Sequence, residues 1–167
     1  MIIRSPMPSD LLSIGHVYCE AWKAAYKGIV PDDFLGGLTD ESCAPRSHRP
    51  NGALVCEETG KIIGVAAFGA RRDRTDERSG ELYSIYVLPE CWRMGAGRAL
   101  FESVRSQLRA EGYLSLFLWT LTDNARARRF YERMGMTAVD SRTITIGGRK
   151  LKETGYVQTL TSGDRSY

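Results

Sequence analysis

The sequence contains no long uninterrupted apolar run. A helix that crosses a membrane needs about 20 consecutive apolar residues, and a secretory signal needs an apolar core behind a basic start. The opening residues, MIIRSP, have neither form. We therefore expect a protein that has no membrane partner and is located in the cytoplasm.

Cysteine and histidine are also scarce. The four cysteines and two histidines are scattered, without a CxxC pair or the spacing of a metal site. This predicts free thiols and no metal ion. The net charge is only +3, which argues against nucleic acid as the main partner and is compatible with a small ligand rich in phosphate.

A chain of 167 residues suits one domain, which we assign to 1–160, followed by a loose tail at 161–167. Apolar periodicity and turn residues predict a strand at 1–4, helices at 8–26 and 31–38, and an irregular connection at 39–52. A hairpin of strands at 53–58 and 61–70 and a strand at 81–88 should follow. The remainder is predicted as a helix ending at Gly112, a strand at 115–121, a helix at 122–134 and a closing hairpin at 136–146 and 151–160. The strand–helix–strand order around 81–121 implies a parallel crossover. The expected fold class is α/β, an α+β mixed sheet with flanking helices.

Residue spacing assigns faces to three of these elements. The first helix should bury Leu11, Ile14, Tyr18, Ala21, Trp22 and Ala25. The strand at 81–88 should place Glu81, Tyr83, Ile85 and Val87 on one face and Leu82, Ser84, Tyr86 and Leu88 on the other. The helix at 122–134, capped by Thr122 or Asp123, should place Arg126, Arg129 and Arg133 on its outer face, where they are either solvated or in contact with a cofactor phosphate.

The segment 87–100 joins the strand to the next helix through two spaced glycines. Glycine lets a ligand approach the backbone, and the first amides of a helix have no partners within it. The amides of residues 94–98 therefore suit a pyrophosphate. A P-loop would place Lys and then Ser or Thr after the second glycine, but Arg98 and Ala99 follow Gly97. A dinucleotide fingerprint also fits poorly, since Leu100 replaces its third small residue.

Two blocks of the sequence resemble the GCN5-related N-acetyltransferase (GNAT) family. The loop at 92–97 is similar to the family's acyl-CoA loop, which reads Gln or Arg, two residues, Gly, one residue, then Gly or Ala; Trp92 departs from its first position. The block NARARRFYERMGM at 124–136 resembles the family's Asn, Ala, Phe-Tyr and Gly pattern. The segment 22–31 is similar to the end of the family's first helix.

This resemblance implies a GNAT-like acyl-CoA N-acyltransferase fold, in which two splayed parallel strands hold the pantetheine arm. Acetyl-CoA is the implied co-substrate. The implied cofactor-binding residues are Ile85, Tyr86, Val87, Arg93, Met94, Gly95, Ala96, Gly97, Arg98, Ala99, Asn124, Ala127 and Tyr131.

The expected reaction is direct attack of an amine on the thioester in a ternary complex. Backbone amides near Val87 would stabilise the oxyanion, Tyr131 would protonate the leaving thiolate, and Glu81 would act as a base through water. The alternatives are that Tyr131 is only a core residue and Glu81 an exposed acid at a strand end. Trp22 and Tyr26 share a helix face and either line the acceptor pocket or pack in the core.

The expected acceptor is an amine of a small molecule or peptide, which the sequence does not identify. The closing hairpin is a candidate homodimer surface. The alternative function is a non-catalytic acyl-CoA-binding or sensing module, which the presence of both Asn124 and Tyr131 argues against.

Overall fold

The structure is a computed structural model that describes residues 1–47, 52–73 and 75–160. Its strands are β1 (Ile2–Arg4), β2 (Ala53–Glu58), β3 (Lys61–Ala70), β4 (Ser79–Val87), β5 (Ser115–Leu121), β6 (Thr137–Ile146) and β7 (Arg149–Thr159). Its α-helices are α1 (Leu11–Ala25), α2 (Asp32–Gly36), α3 (Asp40–Ser47), α4 (Ala96–Ala110) and α5 (Ala125–Arg133), with 3-10 turns at Pro8–Asp10 and Pro89–Cys91. The predicted tail at 161–167 lies outside the described residues.

The strands form one sheet in the order β1-β2-β3-β4-β5-β7-β6. Within the described residues, β4 and β5 are parallel and the other neighbouring strands are antiparallel. This mixed sheet with flanking helices confirms the predicted fold class. In the described parts of the chain, no helix is long and apolar enough to span a membrane.

Helix α4 packs against the sheet through the apolar stripe that its sequence predicts. Leu100, Phe101, Val104 and Leu108 are fully buried. Gly80 on β4 permits this close packing, because a Cβ there would lie only 2.8 Å from the Leu108 side chain. The α4 face of the sheet is therefore a closely packed apolar core.

The prediction of an irregular connection at 39–52 is wrong for its first half, where α3 forms. The side chains of Thr39 and Ser42 bond reciprocally to each other's backbone amides and start the helix. Cys43 and Ala44 are buried, and Gly15 on α1 leaves room for the α3 backbone. The helix is too short to show a clear period. Residues 48–51 of this connection lie outside the described residues.

The alternation predicted for the strand at 81–88 is wrong because β4 contains a bulge. The β3 register pairs Leu82 with Phe68 and Ser84 with Ala67, which makes Tyr83 the inserted residue. An inserted residue moves all later side chains of a strand to the opposite face.

The bulge brings polar residues of β4 together on the face that α1 covers. The hydroxyls of Ser84 and Tyr18 on α1 are 2.5 Å apart, and the rings of Tyr86 and Tyr18 are 5.1 Å apart. Gly80 faces α4, so its neighbour Glu81 also lies on the α1 face. Glu81, Ser84 and Tyr86 therefore share one surface.

Two smaller predictions also need correction. Leu11 is 40% exposed, because α1 turns it away from the sheet. Helix α5 is capped by Asn124, whose side chain accepts a hydrogen bond from the Ala127 amide, and not by Thr122 or Asp123. An Asn at this position satisfies a free amide of the first helical turn.

Candidate active site

The parallel strands β4 and β5 separate after a short paired segment. Their register ends at Glu81 opposite Phe117, whereas β4 continues to Val87 and β5 to Leu121. Beyond that pair, the facing strand edges carry backbone groups that have no ladder partner among the described residues. We call this gap the splay, and it lies where the family resemblance implies one.

The hydrogen-bond direction of β4 shows which residues face the splay. The Leu88 amide donates to the Ile63 carbonyl on the β3 side, at 2.9 Å. Backbone groups alternate in direction along a strand, so the groups of Ile85 and Val87 point toward the splay. Tyr86 turns its backbone groups toward β3, and only its side chain remains for a ligand.

The loop between β4 and α4 presents free amides beside this edge. Arg93 and Gly95 have positive φ angles of 66° and 91°, which turn the chain sharply into the helix. The first bond of the helix joins the Ala99 amide to the Gly95 carbonyl, so the amides of residues 96–98 precede the ladder. The predicted cradle at 93–99 is thus a helix N-terminus, suited to binding an anion.

Arginine side chains surround this cradle. Arg93, Arg98 and Arg126 form no ion pair with the acids of the described chain. Burial lowers the pKa of Arg126, and the nearby charge of Arg93 lowers it further. Adjacent cations without acidic partners fit a phosphate-bearing ligand, and these residues and the free amides fit the phosphates of coenzyme A.

Asn124 lies at the other side of the splay, where β5 gives way to α5. It is 7% exposed, and its Oδ1 accepts a 3.1 Å hydrogen bond from the Ala127 amide. That bond fixes the side chain and leaves its two N–H donors for a ligand. Ala127 is predicted to contact the cofactor, and in the structure its backbone amide donates this capping hydrogen bond.

Tyr131 lies about two turns beyond Asn124 on α5 and is 7% exposed. Its ring packs beside Phe101, Phe130 and Tyr156. Burial raises the pKa of Tyr131, and the nearby Tyr26 raises it further. The phenol is therefore neutral at physiological pH and is a hydrogen-bond donor.

Glu81 lies at the vertex of the splay, and the alternative interpretation of it as an exposed strand-end acid is wrong. Its side chain is only 3% exposed. One carboxylate oxygen accepts from the Arg72 backbone amide at 2.9 Å, and the other accepts from the Arg72 guanidinium. These hydrogen bonds fix the buried carboxylate in position.

Aromatic side chains line the α1 side of the splay. The rings of Trp22 and Tyr26 meet edge to face at 4.7 Å, and the Tyr26 and Tyr86 hydroxyls are 3.0 Å apart. Trp22 is partly exposed and Tyr26 is buried. The structure thus brings the two predicted acceptor residues against Tyr86 of the splayed strand.

Sequence reasoning missed a pocket beside Glu81, lined also by Arg72, Asp73, Trp119 and Arg142. Arg72 lies in a run of alternating charges, which is typical of a solvated turn. The sequence predicts a solvated hairpin tip at 71–78, with the alternative that its basic side chains meet an acidic substrate, and this alternative was the available signal. Arg142 is 70 residues from Arg72 in the numbering, and only the sheet order brings them together.

Comparison with known proteins agrees with this geometry. The family model described as the acetyltransferase (GNAT) family matches residues 16–136. The uncharacterized N-acetyltransferase YuaI of Bacillus subtilis is 33% identical over 92% of this chain and 90% of its own length. The chain therefore belongs to the GNAT family, and the predicted class of enzyme, an acetyl-CoA-dependent N-acetyltransferase, is confirmed.

Solved structures share the fold. The PaiA N-acetyltransferase of Thermoplasma acidophilum, determined with coenzyme A, superposes with a TM-score of 0.75 at 20% identity, covering 95% of this chain and 98% of its own. YncA of Salmonella typhimurium, determined with acetyl-CoA, gives a TM-score of 0.72 at 24% identity, covering 100% and 98%. At these identities the likeness concerns the fold alone.

Proposed function

We propose that this protein transfers an acetyl group from acetyl-CoA to an amine of a small molecule or peptide, by direct attack while both substrates are bound. The observation that carries the proposal is the splay itself. It has free helix amides at one end, open strand edges along its length, and a buried carboxylate and a neutral phenol on its walls.

The residues around the splay fit the parts of acetyl-CoA. The amides of residues 94–98, with Arg93 and Arg126, would hold the pyrophosphate. The backbone of Ile85 and the side-chain amide of Asn124 would bind the amide groups of the pantetheine arm. Acetyl-CoA, when bound, supplies a thioester carbonyl that an amine can attack.

Three residues have proposed roles in the transfer. The Val87 amide faces the splay and would donate to the oxygen that gains charge during attack. Tyr131 would donate its proton to the departing sulfur. Glu81 would accept the proton of the acceptor ammonium through water, because its carboxylate is fixed at the vertex of the splay.

The cysteines support direct attack over an acetyl-cysteine intermediate. Cys19, Cys43 and Cys56 are buried and Cys91 is partly exposed. Burial raises the pKa of Cys19, Cys56 and Cys91. A thiol with a raised pKa carries little thiolate and is a poor nucleophile.

Steady-state kinetics tests the proposal. An amine panel with acetyl-CoA, assayed by free thiol release, should identify an acceptor. With that acceptor, double-reciprocal plots at several fixed acetyl-CoA concentrations should intersect. Parallel lines, together with an acetylated protein mass after incubation with acetyl-CoA alone, would overturn direct attack. No transfer to any amine would overturn the proposed function.

A further inference from the structure

The pocket beside the splay vertex has a chemistry that restricts the acceptor. We infer that it binds a carboxylate of the acceptor, so that the substrate is an amino acid or a related small molecule carrying both an amine and a carboxylate; this rests on the proposed function. We call it the arginine pocket, lined by Arg72, Asp73, Glu81, Trp119 and Arg142.

Arg72 is held in a fixed orientation at one side of this pocket. Its Nε and Nη2 donate to the buried carboxylate of Glu81, and its guanidinium lies over the Tyr83 ring at 4.7 Å. A guanidinium has five N–H donors, and these bonds leave others for a ligand. The side chain is 47% exposed.

Arg142 is held in the same manner on β6. Its Nε donates to Glu153 at 2.6 Å, and its guanidinium lies over the Trp119 ring at 4.2 Å. The side chain is 44% exposed. The two arginines thus repeat one arrangement, with an acid bonded to Nε and an aromatic ring against the guanidinium plane.

The lining carries two arginines and two acids, but the Arg72–Glu81 and Arg142–Glu153 ion pairs turn their guanidinium groups, and not their carboxylates, to the pocket surface. The carboxylates of Glu81 and Glu153 are 3% and 12% exposed, whereas their arginine partners are nearly half exposed. The remaining acid, Asp73, accepts a hydrogen bond from Arg71. Asp73 is 37% exposed but is paired with Arg71, so each acid has a cationic partner, and the exposed guanidinium groups of Arg72 and Arg142 present the remaining N–H donors to a ligand.

This surface favours a carboxylate. A guanidinium presents parallel donors that match the two carboxylate oxygens, and fixing the side chain in advance reduces the entropy lost on binding. The Trp119 ring adds an apolar wall, as in most small-molecule sites.

The location of the pocket links the carboxylate to the reacting amine. Glu81, the proposed base, lines the pocket and ends the paired part of β4 and β5. An amine that delivers its proton to Glu81 through water is therefore close to Arg72. A substrate whose amine and carboxylate are separated by a few bonds can satisfy both groups.

A matched acceptor panel tests this inference. Each free amino acid is compared with its amino-acid amide, which keeps the amine and side chain but replaces the carboxylate, and with a dipeptide that begins with the same residue. Free thiol release at fixed acetyl-CoA gives kcat/KM for each. For the amino acid with the preferred side chain, we expect kcat/KM to exceed that of its amide by about 10- to 100-fold, which is the range that charge-assisted hydrogen bonds contribute. The dipeptide distinguishes a free amino acid from a peptide amino terminus.

Arg142→Gln should remove most of this preference by raising the KM of the acid, while the kcat/KM of the amide changes little. Arg105→Gln, on the outer surface of α4 beside Glu102, is the matched control and should keep the full preference. Circular dichroism checks that both variants fold.

The outcomes separate this inference from the proposed function. Amides or polyamines used as well as the acids, or an acid preference unchanged in Arg142→Gln, would overturn the carboxylate site while leaving the acetyltransferase proposal intact. A protein that acetylates no amine in the panel would overturn both.

Discussion

The guanidinium of Arg126 on α5 lies over the ring of Trp92, 3.0 Å from its centre. The indole nitrogen of Trp92 donates a 2.8 Å hydrogen bond to the Val87 carbonyl at the end of β4. Trp92 therefore connects the two elements on opposite sides of the splay. The residue that departs from the GNAT loop pattern thus bridges β4 and α5, and we expect it to hold this end of the splay at a fixed width.

Trp92→Ala should weaken acetyl-CoA binding by about 5- to 50-fold, because it removes a cation–π contact and a hydrogen bond of roughly 1 kcal/mol each. Trp92→Phe keeps an aromatic ring beside Arg126 and should therefore lose less affinity for acetyl-CoA. Calorimetric titration with acetyl-CoA measures both. Parent affinity in a folded Trp92→Ala variant would contradict this role.

The cradle is best tested at Gly97. Gly97→Asp should abolish measurable acetyl-CoA binding, because it adds negative charge where the helix amides would meet phosphate. Gly97→Ala is the control: a Cβ there would contact Phe130 at an ordinary 3.7 Å, so binding should change little. Gly95 is less informative, since its positive φ makes any substitution strain the loop. Retained binding in Gly97→Asp would place the phosphate site elsewhere.

Trp22→Ala tests the acceptor side of the splay. We expect the KM of the acceptor to rise about 3- to 10-fold, the scale of one aromatic contact, while the KM of acetyl-CoA stays nearly constant. Tyr26→Phe, which removes only the hydroxyl bonded to Tyr86, should have a smaller effect. A lower melting temperature with unchanged kinetics would show that Trp22 is only a packing residue.

The sequence correctly predicted the helices and turns that are determined by residues close together in the chain. The stripe of α4, with Leu100 and Leu108, and the hairpin turns follow from short-range spacing and turn residues. The cradle and the α5 block could be located because their residues are contiguous. These predictions needed no knowledge of which strand lies beside which.

The remaining features depend on contacts between distant segments. The bulge at Tyr83 appears only in the register between β3 and β4, and it places Glu81 and Tyr86 on one face against the alternating pattern. Arg72 follows β3 and Arg142 lies on β6, and they line one pocket because the sheet order places β4, β5 and β7 between these strands. Single-sequence periodicity holds no information on such pairings, which is why the arginine pocket was not predicted.

Glu81→Gln tests the proposed base. The rate should fall at neutral pH, where the acceptor amine is mostly protonated, and the deficit should shrink as the pH approaches the amine pKa near 10. Initial rates from about pH 6 to 10 measure this effect. Glu57→Gln, which breaks another acid–arginine pair with Arg4, is the control for nonspecific loss of an ion pair. A deficit independent of pH would assign the proton to another group.

Tyr131→Phe separates chemistry from packing by removing one oxygen atom. The ring contacts with Phe101 and Phe130 remain, so acetyl-CoA affinity should change little. The chemical step should slow by about a hundredfold if the phenol protonates the leaving thiolate. Tyr156→Phe is the matched control: it removes the hydroxyl of a neighbouring buried tyrosine, which bonds Arg128 and Glu132, and should leave the chemical step unchanged.

The pH profile gives the same residue an independent test. Because burial raises the pKa of Tyr131, the phenol stays protonated at pH values near 10, where an ordinary tyrosine would lose its proton. The parent rate should therefore show no fall at pH 10 that is due to this group, and a fall only above it. Tyr131→Phe has no proton to lose, so its slower rate should lack that alkaline fall. Single-turnover rates across pH measure both effects, and a variant with the parent's full rate and profile would remove Tyr131 from the mechanism.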